Sequence, residues 1–227
     1  MPVPLPGVSA PEVRLVLASA SPRRAELLRA AGFAFDVQPV NLDEAVRPGE
    51  TPDAYVQRLA SEKSLAAHVA RVSSRTGDIG GTGDTGDTGD NVVTLGADTA
   101  VVIDGVILGK PVDETEAEAM LRRLSGRTHE VLTGISLRRG DREVARVERT
   151  RVTFTTLSNQ DIQWHVLSQE GMDKAGGYAI QGLASRFIPR IDGSYSNVVG
   201  LPVTAVAAAL AVLANPLNGS GDADGNP

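Results

Sequence analysis

The chain has no cysteine among its 227 residues. Disulfides, thiolate nucleophiles and zinc–thiolate centres are excluded together, and a reducing compartment, the cytoplasm, is the expected location. It has no long apolar run either, so a membrane is not expected as a partner. Met1 to Pro11 contains prolines and lacks the basic segment that opens a secretion signal. Positive charge is scarce: 22 Lys and Arg stand against 28 Asp and Glu, a net charge of −6. Broad nucleic-acid binding needs a basic face, so nucleic acid is not an expected partner. A phosphorylated ligand would need a local cluster of cations inside an acidic shell. No Walker loop, dinucleotide fingerprint or nucleophile elbow occurs. The three histidines, His68, His129 and His165, show no metal-ligand spacing, and His68 and His165 fall in helical stretches and read as structural.

What is present is an ordinary apolar content, 41%, and a length suited to one domain with a substantial core. The elements alternate between strand and helix. Leu15-Val16-Leu17 reads as a short buried strand. It leads into Ser19-Ala20-Ser21-Pro22-Arg23-Arg24, where Ser21 suits an N-cap and Pro22 the first helical position. Gly32 is placed to end that helix. Two arginines in a first turn oppose the helix dipole, so an anion in front of them is the better explanation.

Phe33 to Val40 reads as a second strand, and Thr51-Pro52 opens a helix running to about Ala70. Val92 to Asp98 has the near-continuous apolar character of a central strand. Asp104-Gly105 predicts a hairpin in which Ile103 faces Val106, Val101 faces Leu108 and Thr99 faces Lys110. Asp113 with Glu116, and Ser158 with Asp161, mark two helix starts, and Gly126 stops the helix that Asp113 opens. Thr128 to Arg138 and Glu143 to Leu157 read as long strands. A Gly-rich stretch, Lys174 to Gly200, precedes an Ala-rich helix from Val203 to Ala214. The expected layout is an N-terminal extension over 1–13 and one domain over 14–214. A flexible Gly-Asp-Thr insertion over 72–91 interrupts it, and a disordered tail follows over 215–227. The period of three and the short run favour an insertion over a calcium-binding β-helix. The fold class is α/β (α+β) with a mixed sheet.

Four polar positions break this pattern. Lys63 lies on the apolar stripe of Val56, Leu59, Ala60 and Ala67; it either snorkels along the edge of the core or reaches an anion. Asp98 ends a buried strand, with Lys110 across the hairpin. That reads either as a cross-strand ion pair or as a carboxylate kept ionised to orient water or hold a metal. Asp43-Glu44 is an acidic loop. Gln181, in Asp173-Lys174-Ala175-Gly176-Gly177-Tyr178-Ala179-Ile180-Gln181-Gly182, offers a donor and an acceptor suited to the edge of a base.

Taken in order, these segments resemble the Maf family of nucleotide pyrophosphatases, also called septum formation inhibitor proteins. Tyr55-Val56-Gln57-Arg58-Leu59-Ala60-Ser61-Glu62-Lys63, Gly96-Ala97-Asp98-Thr99, Gly109-Lys110-Pro111, Leu124-Ser125-Gly126-Arg127-Thr128-His129 and Asn197-Val198-Val199-Gly200-Leu201-Pro202 complete the match. The resemblance implies an elongated mixed β-sheet flanked by helices, with two lobes around a central cleft. It implies hydrolysis of nucleoside triphosphates between the α and β phosphates, a divalent metal (Mg²⁺ or Mn²⁺) and a homodimer. By the same resemblance Asp98 is the proton acceptor, Ser19, Arg24, Lys63 and Lys110 bind phosphate, and Glu44 with Asp98 faces the metal. Arg23, Thr99 and Gln181 match the branch acting on dTTP and UTP. Modified nucleotides as substrates, and a nucleotide-binding regulator of septum formation with little turnover, are the alternatives.

Overall fold

Arg14–Leu17 forms β1, and all but its first residue is buried. In the computed structural model, which describes residues 13–76 and 91–214, it is followed by α1 (Pro22–Ala30) and β2 (Phe35–Val37). β2 is shorter than the apolar run from Phe33 to Val40 predicts. It lies at the sheet edge beside the four-residue β1, and Pro39 has no N–H to continue the ladder. Ser21 has the extended backbone of an N-cap, but its side chain makes no cap bond; instead its N–H donates to Ser19 Oγ at 3.2 Å.

α2 (Pro52–Thr76) starts with the Thr51 hydroxyl accepting from the Ala54 N–H. It runs past Ala70, so the segment expected to be flexible from residue 72 begins as helix. The Gly-Asp-Thr repeat, residues 1–12 and the tail lie outside the described residues. β3 (Val92–Ile103) is longer than expected because the central strand and the first arm of the hairpin are one continuous strand. β4 (Val106–Leu108) returns along it. α3 (Glu114–Leu124) and α4 (Asn159–Leu167) have the Asp113 and Ser158 caps that the sequence predicts. β5 (Thr128–Arg139) and β6 (Arg142–Thr153) are the long antiparallel pair. β6 ends four residues before Leu157, where the chain turns toward α4. The Gly-rich stretch resolves into tight turns, β7 (Arg190–Asp192) and α5 (Tyr195–Val199), followed by α6 (Val203–Ala214). No helix among the described residues is long and apolar enough to cross a membrane.

The seven strands make one mixed sheet in the order β2-β1-β3-β5-β6-β7, with β4 also on β3. One edge of β3 is filled by β5 from Thr94 to Val102. The other is shared: β1 pairs with Val92–Leu95 and β4 with Val101–Ile103. Between them β3 is unpaired around Asp98 and Thr99. Successive side chains of a strand point to opposite faces, so the sheet would normally separate these two residues. The gap lets both reach the same space.

The cores follow the same geometry. Val93, Leu95 and Ala97 pack with β1, α1 and α6 residues such as Leu17, Leu28 and Leu213. Further along the same face, Val101 and Ile103 pack with Leu121, Phe154 and Ile162. These two clusters are the two lobes, and the gap in β3 lies between them. On the opposite face α2 packs across β3 and β5, where Val56 meets Ala100, Val102 and Leu132. The approach is close. A Cβ on Gly96 would collide with the Ala60 carbonyl and the Ser64 N–H, and one on Gly134 with the Val56 carbonyl. Gly134 is the cross-strand partner of Asp98.

Candidate active site

The gap opens into a cleft of about 570 Å³, within the usual range for small-molecule sites. Its lining holds Arg23, Arg24, Lys63, Lys110 and Lys174 against Glu44, Asp98 and Asp173. A protein of net charge −6 thus has more cations than acids here, as recognition of a phosphorylated ligand requires.

Arg24 is aimed by the start of α1. Its Nε donates to the Gly200 carbonyl at 2.8 Å, Nη1 to Ser19 Oγ at 3.1 Å and Nη2 to Thr99 Oγ1 at 3.2 Å. All three acceptors are neutral. The guanidinium keeps two further N–H groups in the fork geometry that suits phosphate oxygens. Burial pulls its pKa below the ordinary arginine value, and the charges of Asp98 and Glu44 oppose that shift. Thr99 also bonds Thr133 Oγ1 at 2.9 Å, so its hydroxyl is committed to holding Arg24.

Lys63 is buried on the α2 stripe, and its Nζ sits 2.6 Å from Asp98 Oδ1 and 2.6 Å from Glu44 Oε1. The sequence expectation placed Lys110 as the ammonium beside Asp98. The structure puts Lys63 there. The β3–β4 register stops at Val101 opposite Leu108; Gly109 then leaves the sheet and its carbonyl accepts from the Gly176 N–H at 2.9 Å. Lys110 is exposed, lines the cleft and acts on Glu44 through charge. Burial raises the Asp98 pKa above its ordinary value, against the opposing charges of Lys63 and Arg24. Burial also pushes Glu44 upward, but its hydrogen bond to Lys63 and the charges of Lys63, Lys110 and Arg24 outweigh it, leaving Glu44 below its ordinary value.

The Glu44 loop is fastened to α2. Tyr55 Oη donates to the Glu44 carbonyl at 3.1 Å, and Arg58 Nη2 to the Ala45 carbonyl at 3.1 Å. Arg58 also pairs through Nε with Glu50 at 2.6 Å in a nearly buried ion pair. At the cleft mouth, Arg23 reaches Asp173 at 3.5 Å. Gln181 is exposed and lines the cleft, with no side-chain hydrogen bond among the described residues.

Residues 14–213 match the family model described as Maf-like protein. The chain belongs to the Maf family. It is 47% identical over 190 residues to a protein of Symbiobacterium thermophilum named dTTP/UTP pyrophosphatase, covering 84% of this chain and 89% of that one. A protein of Hahella chejuensis with the same name is 48% identical, covering 84% and 87%. One from Anaeromyxobacter dehalogenans is 46% identical over 208 residues, covering 90% and 96%.

The Maf cleft gathers every residue to which the family resemblance gives a role: Ser19, Arg23, Arg24, Glu44, Lys63, Asp98, Thr99, Lys110 and Gln181 all line it. Sequence reasoning passed over Tyr55, Arg58 and Tyr178. Tyr55 and Arg58 lie one helical turn apart on α2, a spacing that places both on the loop side. The signal for Tyr178 is His129, a polar residue in a buried strand. The two share a 2.7 Å hydrogen bond, His129 Nε2 to Tyr178 Oη.

Burial depresses the His129 pKa from 6.5 to about 4. The unfolded chain therefore binds the extra proton between these values, and stability falls as pH drops from about 6.5 toward 4, by up to about 3 kcal/mol. Urea unfolding of wild type and His129→Gln at pH 7 and pH 5 checks this; the variant should lose most of that pH slope.

Proposed function

We propose that this Maf-family protein hydrolyses the α–β phosphoanhydride of pyrimidine nucleoside triphosphates, dTTP and UTP, giving a monophosphate and pyrophosphate. The observation that carries the reading is the buried Asp98, held by Lys63 at the centre of a cation-rich cleft. The names of its relatives agree with it.

In this reading Arg24, Lys63 and Lys110 bind the phosphates and offset the charge that develops on the departing pyrophosphate. Asp98 takes a proton from water as the water oxygen attacks the α phosphorus and the bond to the bridging oxygen breaks. A carboxylate with a raised pKa is the stronger base, which favours Asp98 over Glu44 for that step. Arg23, Thr99 and Gln181 contribute to nucleotide choice, Thr99 by holding Arg24.

Glu44 and Asp98 converge on one point, Lys63 Nζ. Among the described residues no group of three or more His, Asp or Glu could cage an ion. Two carboxylates completed by substrate phosphates match Mg²⁺ or Mn²⁺, which bind through few protein oxygens and several from phosphate and water. Glu44 and Asp98 would hold such an ion, and it would supply positive charge to the phosphate oxygens.

Purified protein incubated with dTTP or UTP and Mg²⁺ should release monophosphate and pyrophosphate in equal amounts. EDTA should stop turnover, and added Mg²⁺ or Mn²⁺ should restore it. Orthophosphate as the product, or no product with either nucleotide, refutes the proposal. A panel that includes modified pyrimidines and ITP tests the pyrimidine preference.

A further inference from the structure

Two buried histidines take no part in the chemistry above. His129 on β5 is 2% exposed and His165 on α4 is 1% exposed. They come from different elements, yet their Nε2 atoms act on consecutive residues of one segment. His165 Nε2 donates to the Gly177 carbonyl at 3.0 Å, and His129 Nε2 bonds Tyr178 Oη at 2.7 Å. The Nδ1 atom of each ring is buried with no hydrogen-bond partner. Leaving a buried polar atom unpaired is unfavourable, so apolar residues would serve mere core filling better. The polarity of these rings is used only at Nε2, on the segment that leads to Gln181.

That segment needs holding. Gly176 and Gly177 both have positive φ, at 71° and 73°, a pair of residues with wide conformational freedom. The Gly176 N–H is fixed to the Gly109 carbonyl at 2.9 Å, and both Glu170 carboxylate oxygens accept from the Leu183 N–H at 2.9 Å. The two histidines fasten the residues between these anchors. Tyr178 packs edge-on against Phe154 and His129 and lines the cleft with Gln181. The Gln181 amide has no side-chain hydrogen bond among the described residues, so its backbone decides where it points.

We infer that His129 and His165 are positioning residues for nucleobase selection: they lock Gly177 and Tyr178 so that Gln181 presents its amide to the edge of the pyrimidine. The inference rests on the pyrimidine triphosphatase reading above. Buried hydrogen bonds act at low dielectric and are strengthened by it, so the two Nε2 bonds favour one arrangement of the segment, and that arrangement sets the base contact, distant from Asp98 in the chain.

The test is steady-state kinetics of wild type, Tyr178→Phe, His165→Leu and His165→Gln on dTTP, UTP, CTP and GTP, with rates scaled to the folded fraction. Tyr178→Phe removes one oxygen and keeps the ring, so it remains informative if His165→Leu fails to fold. Tyr178→Phe and His165→Leu should each lower the preference for dTTP over CTP by about tenfold, the size expected from one buried hydrogen bond. The change should lie in KM for dTTP and UTP, with kcat little altered. His165→Gln, which restores an N–H donor, should recover the preference. Equal losses on all four nucleotides, or failure of His165→Gln to improve on His165→Leu, overturn the inference. A wild type that hydrolyses none of them refutes the function reading itself, a result distinct from an active wild type with unselective variants.

Discussion

Replacing Asp98 with asparagine should lower kcat on dTTP by about 10²–10⁴-fold, the usual contribution of a general base, with KM changed far less. The substitution is nearly isosteric and removes the proton-accepting charge. Lys63 keeps Glu44 at 2.6 Å, so its ammonium is not left buried alone and the fold should persist. Glu44 is the weaker base, because Lys63, Lys110 and Arg24 hold its pKa below the ordinary value. Pyrophosphate release measures the effect, and the melting temperature verifies folding. A folded Asp98→Asn variant retaining more than about a tenth of wild-type kcat would remove Asp98 from the role of base.

The second large effect comes from a residue with no side chain. Gly96→Ala places a methyl group against the Ala60 carbonyl and the Ser64 N–H. Both are backbone atoms of α2 and neither can rotate away, so the helix itself must shift. Overpacking of this kind costs about 3 kcal/mol, enough to lower the urea midpoint clearly. Ala60 and Ser64 bracket Lys63, so the same shift draws Nζ away from Asp98 and Glu44. Activity at temperatures where the variant is still folded should therefore fall as well. A variant that loses stability but keeps wild-type kcat and KM would show that Lys63 does not depend on the helix position.

Most of the local structure was legible. The Asp113 and Ser158 caps, the Asp104-Gly105 hairpin and the buried run of β3 are each decided within a few residues, by one side chain meeting a nearby N–H or by unbroken apolar character. Errors gathered where a strand's length depends on its partner. β2 is short because β1 is short and Pro39 follows. The β3–β4 pairing stops before Thr99 and Lys110 because Gly109 is drawn to Gly176. Ser21 does stand at the N-cap of α1, with Pro22 first in the helix, although its hydroxyl makes no cap bond.

By itself the sequence determined which residue types are available for the chemistry, and in what order. The motifs from Ser19 to Gln181 place the chain in the Maf family, and the missing cysteines and the lone histidines leave carboxylates and cations to carry the site. Spacing could not decide whether Lys63 snorkels or reaches an anion, because a residue on an apolar stripe can do either. Only the tertiary structure settled that. Gly96 and Gly134 let α2 settle onto the sheet at backbone contact, which brings Lys63 to Asp98. The gap between β1 and β4 lets Asp98 and Thr99, on opposite faces of one strand, share a cleft. Both outcomes depend on distances between elements far apart in the chain, and those are set by packing.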